Sequence, residues 1–572
     1  MNETVILKGI PVSPGISIGT VLIYQPMEYR VNECYFEKGL ESQKMESFWL
    51  AVKNTQEELD EIMHSSEKED AARIFRAHKE ILSDEEMLEM VGEEISVNRK
   101  EPEFAIATVF DEFIDLMKQA SDPLIAARAS DIRDVRNRLL RKLKSEPEKN
   151  LSNLEYPVIV VASDLSPGDA AVLDRNKVLG IITGTGGVTS HTAIVANSYR
   201  IPAVLGVRNC TSLLLNGMTV ALDALQGDIY VNPDADMLAV LNEKGREYSS
   251  NELELETRFL EAEPLTADGT RIDIGLNMGS REVLETIRGF DFVGIFRTEF
   301  LYTERNSLPS EEEQFQIYKK VIEDAKGKPV TLRTLDIGGD KTLRYMNLPK
   351  EDNPFLGKRA LRLCFDREDI FVTQLRAALR ASVYGELWIM LPMVSSIDDI
   401  IKARSIYDRV KLKLEEEKIH IGSNTKLGIM IEIPAIAVIA DIAAEYVDFA
   451  SIGTNDLCQY LCAVDRMNPE LAEYYQGLSP AMLRILGFVI ESFNSKSKPL
   501  SVCGELAADP YSAVLLIGLG LRKLSMSYSS IARVKKTLLM TTIKEAVKYA
   551  EKAKNLHTEK QVLDYICSMV QL

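Results

Sequence analysis

Cysteine is scarce. There are seven, an odd number scattered from Cys34 to Cys567, which argues against a disulfide framework and for free thiols in a reducing compartment. No pair has zinc-type spacing. Cys458 and Cys462 fall four apart on an expected helix, with no histidine nearby to complete a site. Long apolar runs are missing too, and no stretch approaches the ~20 residues that cross a bilayer. Met1-Asn2-Glu3-Thr4 has neither the charged n-region nor the apolar core of a signal peptide, so a cytoplasmic chain is expected. Basic residues are in deficit: 67 Lys and Arg stand against 86 Asp and Glu, a net charge of −19. That argues against nucleic acid or anionic membrane as a general partner. An anionic substrate must then be held by local arginines against the overall field. No short repeat and no low-complexity segment is found.

What is present fits an ordinary globular protein. Apolar residues make up 46% and charged residues 27% of 572 positions, enough for about three or four domains of ~100–200 residues. Strands are expected at 4–10 and 16–24, around a turn at Pro11-Val12-Ser13-Pro14-Gly15. Helical periodicity then dominates, with candidates at 40–65, 70–82, 85–98, 103–120 and 123–143, a bundle of roughly a hundred residues. Strand character returns at 157–162, 177–183, 219–222 and 228–231. The early and late strands are assigned to one α/β domain (1–30 and 146–231) with the bundle (31–145) inserted. A polar, Glu-rich connector helix is expected over 232–262. From 263 to 572, eight apolar strand candidates alternate with helices: 272–276, 292–297, 330–335, 386–392, 426–433, 447–453, 500–503 and 523–526. Strands apolar on both faces, in eight βα units over about 300 residues, predict a TIM (β/α)8 barrel.

Two places carry chemistry. The first is Gly184-Thr185-Gly186-Gly187-Val188-Thr189-Ser190-His191-Thr192-Ala193. It joins an apolar strand to a helix, with Thr189 or Ser190 as N-cap and His191 in the first turn. Unpaired N–H groups and the positive dipole end suit an anion there. A phosphoryl group on His191, with about two negative charges, would meet those donors; a solvated histidine at a capped helix start fits the same residues. The second place is the C-terminal edge of the barrel, where active sites of this fold lie. The strand ends there supply Arg297-Thr298-Glu299, Arg333-Thr334-Leu335-Asp336 followed by Gly339-Asp340-Lys341, Glu432, Asn455-Asp456 with Arg466 beyond, and Cys503-Gly504-Glu505. Three arginines and a lysine suit an anion with both phosphate and carboxylate. Two carboxylates, Glu432 and Asp456, suit Mg²⁺ shared with substrate oxygens.

The histidine stretch resembles the phosphohistidine signature of enzymes that use phosphoenolpyruvate (PEP) as phosphoryl donor. The strings GIFRTEFLY, LRTLDIGGDK, NPFLGKRALR, GIMIEIPA, SIGTNDLCQYLCAVDR and SVCGELA resemble the PEP-binding barrel of one branch, the enzyme I family of the sugar phosphotransferase system. The likeness runs from GIPVSPG at 9–15 to the last barrel strand. It implies that His191 carries the phosphoryl group and that Arg297, Arg333 and Arg466 bind PEP with help from Asn455. It also implies that Glu432 and Asp456 ligate Mg²⁺, that Cys503 protonates the enolate of pyruvate, and that Arg359 and Lys341 are second-rank substrate contacts. The chain departs from the pattern at Thr342-Leu343-Arg344, where a Leu-Pro pair is expected after Lys341, and at Cys458, where Thr is expected. Neither is a reacting group.

PEP synthase and pyruvate phosphate dikinase share only the histidine domain and the barrel, and they need a nucleotide-binding domain ahead of the histidine. Only 190 residues precede His191, without a glycine-rich phosphate loop. The inserted bundle resembles the part of enzyme I that docks the histidine-containing phosphocarrier protein HPr. His78 lies in that matching region and reads as a surface or packing residue. No fused sensor domain is expected. His191, the arginines, both carboxylates and Cys503 are all present, so an active phosphotransferase is expected rather than a scaffold. The family also implies a homodimer through the barrel. Because His191 and the PEP arginines fall in different domains, a hinge at the connector is expected.

Overall fold

The computed structural model describes residues 5–25, 29, 31–65, 69–118, 123–144, 151, 154–187, 190–279, 284, 287–303, 305, 307–338, 343–346, 351–466 and 468–570. The chain forms two compact units, residues 1–252 and 253–572.

The first unit is built on an eight-stranded sheet: β1 (Val5–Lys8), β2 (Ile10–Ser13), β3 (Ile16–Tyr24), β4 (Val158–Ala162), β5 (Val178–Thr183), β6 (Ala203–Leu205), β7 (Thr219–Asp223) and β8 (Asp228–Val231). Their spatial order is β1-β8-β7-β3-β4-β5-β6-β2. The strands β3, β4, β5 and β6 run parallel, and antiparallel pairs flank them on both sides. The segment expected to be a turn, Pro11-Val12-Ser13, is instead most of β2, paired with β6 at the sheet edge. Proline lacks an N–H, so an edge strand is where a sheet tolerates it.

Between neighbours β3 and β4 the chain makes five helices: α1 (Glu41–Ser65), α2 (Glu69–Ile81), α3 (Glu85–Ser96), α4 (Pro102–Lys118) and α5 (Pro123–Lys144). Asp84 caps α3 by accepting from the Met87 amide, and prolines open α4 and α5, where a missing N–H costs nothing. Phe48, Leu59, Phe75, Val91, Phe110 and Leu139 form the centre of a separate core. Truncating one such phenylalanine to alanine costs about 3–5 kcal/mol. After β4 come three helices: α6 (Pro167–Ala171), α7 (His191–Tyr199) and α8 (Cys210–Leu213). A 25-residue helix, α9 (Ala235–Phe259), follows β8. Its start is capped by Asp234, which accepts from the Met237 amide at 2.8 Å. Lys244 on α9 pairs with buried Asp223 at 2.5 Å. Leu241 is the one residue of α9 that is fully buried, as its polar sequence implies.

The second unit is a closed barrel of eight parallel strands: β9 (Asp273–Met278), β10 (Phe292–Phe296), β11 (Val330–Arg333), β12 (Leu387–Leu391), β13 (Lys426–Ile431), β14 (Ala450–Ile452), β15 (Leu500–Val502) and β16 (Lys523–Met526). The barrel closes through β16 and β9. Almost every residue of these strands is buried, which explains the apolar runs without alternation. Ile295, Met390, Met430, Phe449 and Cys503 fill a cluster of their own, with Trp388 packed against it. A long excursion between β11 and β12 returns to the strand ends with Arg359.

Candidate active site

The histidine loop follows β5 directly. Its backbone is tied to the end of β4: the Gly184 amide donates to Ala162 O at 3.0 Å, and the Thr185 amide donates to Ser163 O at 3.0 Å. Gly186 has φ +99°, a conformation glycine adopts without strain. Val188 and Thr189 lie outside the described residues. Ser190 is the N-cap of α7, its Oγ accepting from the Ala193 amide at 3.3 Å. His191 is therefore the first helical residue, beside N–H groups that lack helical acceptors. The backbone of His191 is described; its side chain lies outside the described residues.

In the barrel unit, the expected residues occupy the C-terminal ends of the strands. Arg297 follows β10, Arg333 ends β11, Glu432 follows β13 and Cys503 follows β15. Asn455 and Asp456 lie in the first turn of the helix Thr454–Cys462, just after β14. Lys341 lies outside the described residues.

The structure joins Arg333, Arg359, Asp456 and Arg466 into one ionic chain through Glu299 and Asp336. Arg333 reaches Glu299 Oε1 at 2.6 Å with Nη2 and Asp336 Oδ2 at 3.0 Å with Nη1. Asp336 also accepts three hydrogen bonds from Arg359, at 3.0 to 3.1 Å. Arg359 lies 3.7 Å from Asp456 Oδ1, and Arg466 lies 3.7 Å from Asp456 Oδ2. Burial works against the charge of Arg333 and of Arg359. The surrounding carboxylates more than offset it: Glu299, Asp336 and Glu432 for Arg333, Asp336 and Asp456 for Arg359. Both guanidiniums are held above their usual range. Arg297 is exposed. Asn455 Oδ1 accepts from the Glu505 amide at 3.0 Å, which ties its helix to the loop after Cys503.

Glu432 is completely buried. Burial, then the charges of Asp456 and Asp336, push its carboxyl up to about 8, with Arg333 pulling it back down. One of its oxygens, Oε1, accepts from the Met393 amide at 2.6 Å, and Met393 takes a positive φ of 56° to present that amide. The other oxygen has no partner. Among the described residues, four buried polar atoms without a hydrogen-bond partner sit at these strand ends: Arg333 Nε, Glu432 Oε2, Thr454 Oγ1 and Asp456 Oδ1. Unsatisfied buried groups are costly and rare in native proteins. Here donors and acceptors occur together, as a ligand with both anionic and cationic parts would require.

Burial is the largest influence on Cys503 and raises its thiol. Glu432 raises it further, while Ser451, Arg333 and Arg297 oppose. Its Sγ is 3.7 Å from Ile452 O, and Asn277 Nδ2 donates to its backbone carbonyl at 2.9 Å. At neutral pH the residue is a thiol, kept so by desolvation more than by neighbouring acids.

Several residues gain a place that their sequence positions did not assign. Glu299 and Asp336 clamp the arginines. Gln374 donates to Thr298 Oγ1 at 3.1 Å and accepts from the Leu335 amide at 2.8 Å, bracing the ends of β10 and β11. Tyr460 meets Arg359 at 3.5 Å. Gly338, at φ +112°, lies so close to the returning chain that a Cβ would meet Lys358 O at 2.5 Å and Arg359 Cα at 2.7 Å. Ala360, next to Arg359, has φ 52° and ψ −122°, backbone strain of order 1–3 kcal/mol. The Arg333–Asp336 and Arg359 strings were visible in sequence; which acid takes which cation was not. His78 is fully buried, so it packs in the interior of the first unit and is not a surface residue.

Comparison with known proteins places both regions. The model of the PEP-binding domain of PEP-utilising enzymes matches residues 254–543, that of their mobile domain matches 154–227, and that of their N-terminal domain matches 8–128. The chain is 40% identical over 567 residues to the phosphoenolpyruvate-protein phosphotransferase of Bacillus subtilis (strain 168), covering 98% of this chain and 99% of that one. It is 39% identical over 568 residues to the phosphoenolpyruvate-protein phosphotransferase of Priestia megaterium, covering 98% of each.

Proposed function

The chain belongs to the PEP-utilising enzymes, and within them to the phosphoenolpyruvate-protein phosphotransferases of the enzyme I type, and on that premise we propose that it transfers the phosphoryl group of PEP to His191 and then to the histidine of HPr, releasing pyruvate at the first step of sugar uptake. The observation that carries the reading is the set of unpartnered buried atoms at the barrel mouth: Arg333 Nε, Glu432 Oε2, Thr454 Oγ1 and Asp456 Oδ1.

Arg297, Arg333 and Arg466, with Asn455, are the groups proposed to bind PEP, and forked guanidiniums suit both its phosphate and its carboxylate. Arg359 and Lys341 assist. Glu432 and Asp456 would hold Mg²⁺, and the fit rests on two carboxylate oxygens that accept no hydrogen bond, Glu432 Oε2 and Asp456 Oδ1. Two carboxylates suit a cation that keeps water and substrate oxygens in its shell. When bound, Mg²⁺ neutralises charge on the phosphoryl oxygens. The need is visible in the balance of side chains: with Glu432 ionised, Arg297, Arg333, Arg359 and Arg466 face Glu299, Asp336, Glu432 and Asp456, leaving no surplus positive charge for a multiply charged anion.

The phosphoryl group leaves the enol oxygen of PEP for a ring nitrogen of His191. The enolate left behind takes a proton at carbon from the Cys503 thiol, becoming pyruvate, and solvent reprotonates the sulfur. The start of α7 then offers N–H groups and a positive dipole end to the phosphohistidine. His191 lies in the first unit and the PEP-binding residues in the second. In-line transfer needs reacting atoms about 3–3.5 Å apart, so His191 meets PEP and HPr in turn, with α9 as the connector and the α1–α5 bundle as the HPr dock. We extend the proposal to a cytoplasmic homodimer joined through the barrel. The test is incubation with labelled PEP and Mg²⁺ without ATP. The full chain should take an acid-labile, base-stable label, and His191→Gln should fold and take none. Undiminished labelling of that variant would remove His191 from the reaction.

A further inference from the structure

The helix Thr454–Cys462 carries Asn455 and Asp456 at one end and a pair of thiols at the other. Cys458 Sγ and Cys462 Sγ lie 4.0 Å apart. Residues four apart share a helix face. Helix geometry places their Cα atoms about 6 Å apart, inside the ~4.4–6.8 Å range that a disulfide bridges. The two thiols differ in access: Cys458 is 1% exposed, whereas Cys462 is half-buried. Cys462 is also the last helical residue, followed by Ala463 in the left-handed conformation. The final turn can therefore deform without breaking hydrogen bonds in the helix interior.

That turn is mechanically linked to the site. Gln459, between the two cysteines, accepts from the Val464 amide at 3.0 Å through its backbone carbonyl. Its side-chain oxygen accepts from the Arg466 amide at 3.2 Å. Tyr460, one residue on, donates to Phe355 O at 2.6 Å and meets Arg359. Closing the thiols to the ~2.05 Å of an S–S bond draws sulfurs 4.0 Å apart together by about 2 Å. Gln459 carries that movement to Arg466.

We propose that Cys458 and Cys462 form a reversible peroxide-sensitive disulfide that lowers activity by displacing Arg466. The half-buried Cys462 thiolate attacks a peroxide oxygen: the O–O bond breaks, sulfur is oxidised to the sulfenic acid, and hydroxide leaves and takes a proton as water. The Cys458 sulfur then attacks the Cys462 sulfur, the S–OH bond breaks, and the thiol proton and hydroxide leave as a second water. Two thiols and one peroxide thus give one disulfide and two waters. Cys462 is the more accessible of the two, so it meets the peroxide first and buried Cys458 is the resolving partner. A bridge within one helical turn is strained and so readily reduced.

The thiol chemistry stands apart from the proposed function; only its effect on turnover rests on it. The full chain is treated with hydrogen peroxide, its free thiols are alkylated, and the tryptic peptide 427–466 is weighed. The peptide should be lighter by two hydrogens and carry no alkyl group. The rate of PEP-dependent labelling at low PEP should fall by about tenfold or more, since a 1 Å misplacement can cost about a hundredfold, and dithiothreitol should restore it. Cys462→Ser, and Cys462→Ala as a second variant, should be active before treatment and keep their rate after it. Alkylated or oxygenated peptide without the disulfide would overturn the proposal at its chemistry. Disulfide without loss of rate would overturn its consequence. Equal loss in the Cys462 variants would move the oxidation to another thiol and refute it.

Discussion

Replacing Asp336 with asparagine tests the ionic chain at its most connected point. Asp336 is 2% exposed and lies between two buried guanidiniums, three hydrogen bonds going to Arg359 and a 3.0 Å ion pair to Arg333. Asparagine has the same shape but no charge, and its NH₂ confronts a guanidinium with another donor. Breaking a buried ion pair by removing one partner costs about 3–5 kcal/mol. Arg333 keeps Glu299 at 2.6 Å, and Arg359 keeps Tyr460 at 3.5 Å and Asp456 at 3.7 Å, so the lower end, about 3 kcal/mol, is expected for Asp336→Asn. Urea unfolding of the barrel, followed by Trp388 fluorescence, reads this as a lower midpoint at unchanged slope. The kinetic consequence has a definite sign. Removing a negative charge leaves PEP affinity no weaker, while misplaced arginines lower kcat by about ten- to a hundredfold. Calorimetry for PEP and single-turnover labelling separate the two. A variant with wild-type stability, or one with weaker PEP binding and unchanged kcat, would refute the reasoning.

Three further outcomes follow. Asp456→Asn should lose the Mg²⁺ dependence of labelling, because one of the two carboxylates proposed to hold the metal is gone; an unchanged Mg²⁺ titration would take Asp456 out of the metal site. Cys503→Ala should slow pyruvate formation from PEP and leave phosphoryl exchange between HPr and His191 intact, whereas equal loss in both half-reactions would mark a structural thiol. Burial, partly offset by His78, pushes Asp134 in the first unit from 3.8 to about 6, with Asp169 adding to the rise. A raised acid contributes stability below its unfolded pKa and loses it as pH rises through the folded value, so this unit should weaken between about pH 4 and pH 6. Asp134→Asn should flatten that slope and stabilise the unit at neutral pH by up to about 3 kcal/mol, read by Trp49 fluorescence in a Trp388→Phe background; an unaltered slope would contradict the assignment.

The barrel was legible because strands buried on both faces must be apolar throughout, and all eight expected strands overlap those observed. The bundle helices were legible from periodicity. The two strands at one sheet edge were not: β6 has only three residues, and β2 contains Pro11, whose missing N–H reads as a turn until the strand is known to lie at an edge. At the barrel mouth, the candidate residues could be listed from strand ends, but their pairing could not. Asp336 meets Arg359 across 23 positions of sequence, and the positive-φ residues Gly338 and Ala360 lie beside that contact. Cys503 is kept a thiol mainly by desolvation, which depends on packing that no local pattern encodes.

In the proposed reaction, transfer from PEP to His191 is coupled to pyruvate release. Rapid quench of the full chain with PEP and Mg²⁺ in a single turnover measures it directly, with pyruvate assayed in one aliquot and phosphate on the peptide containing His191 quantified at alkaline pH in another. The two should rise together, one pyruvate for each phosphorylated His191. Pyruvate formed without phosphate on that peptide, or phosphate found on another residue in its place, would contradict it.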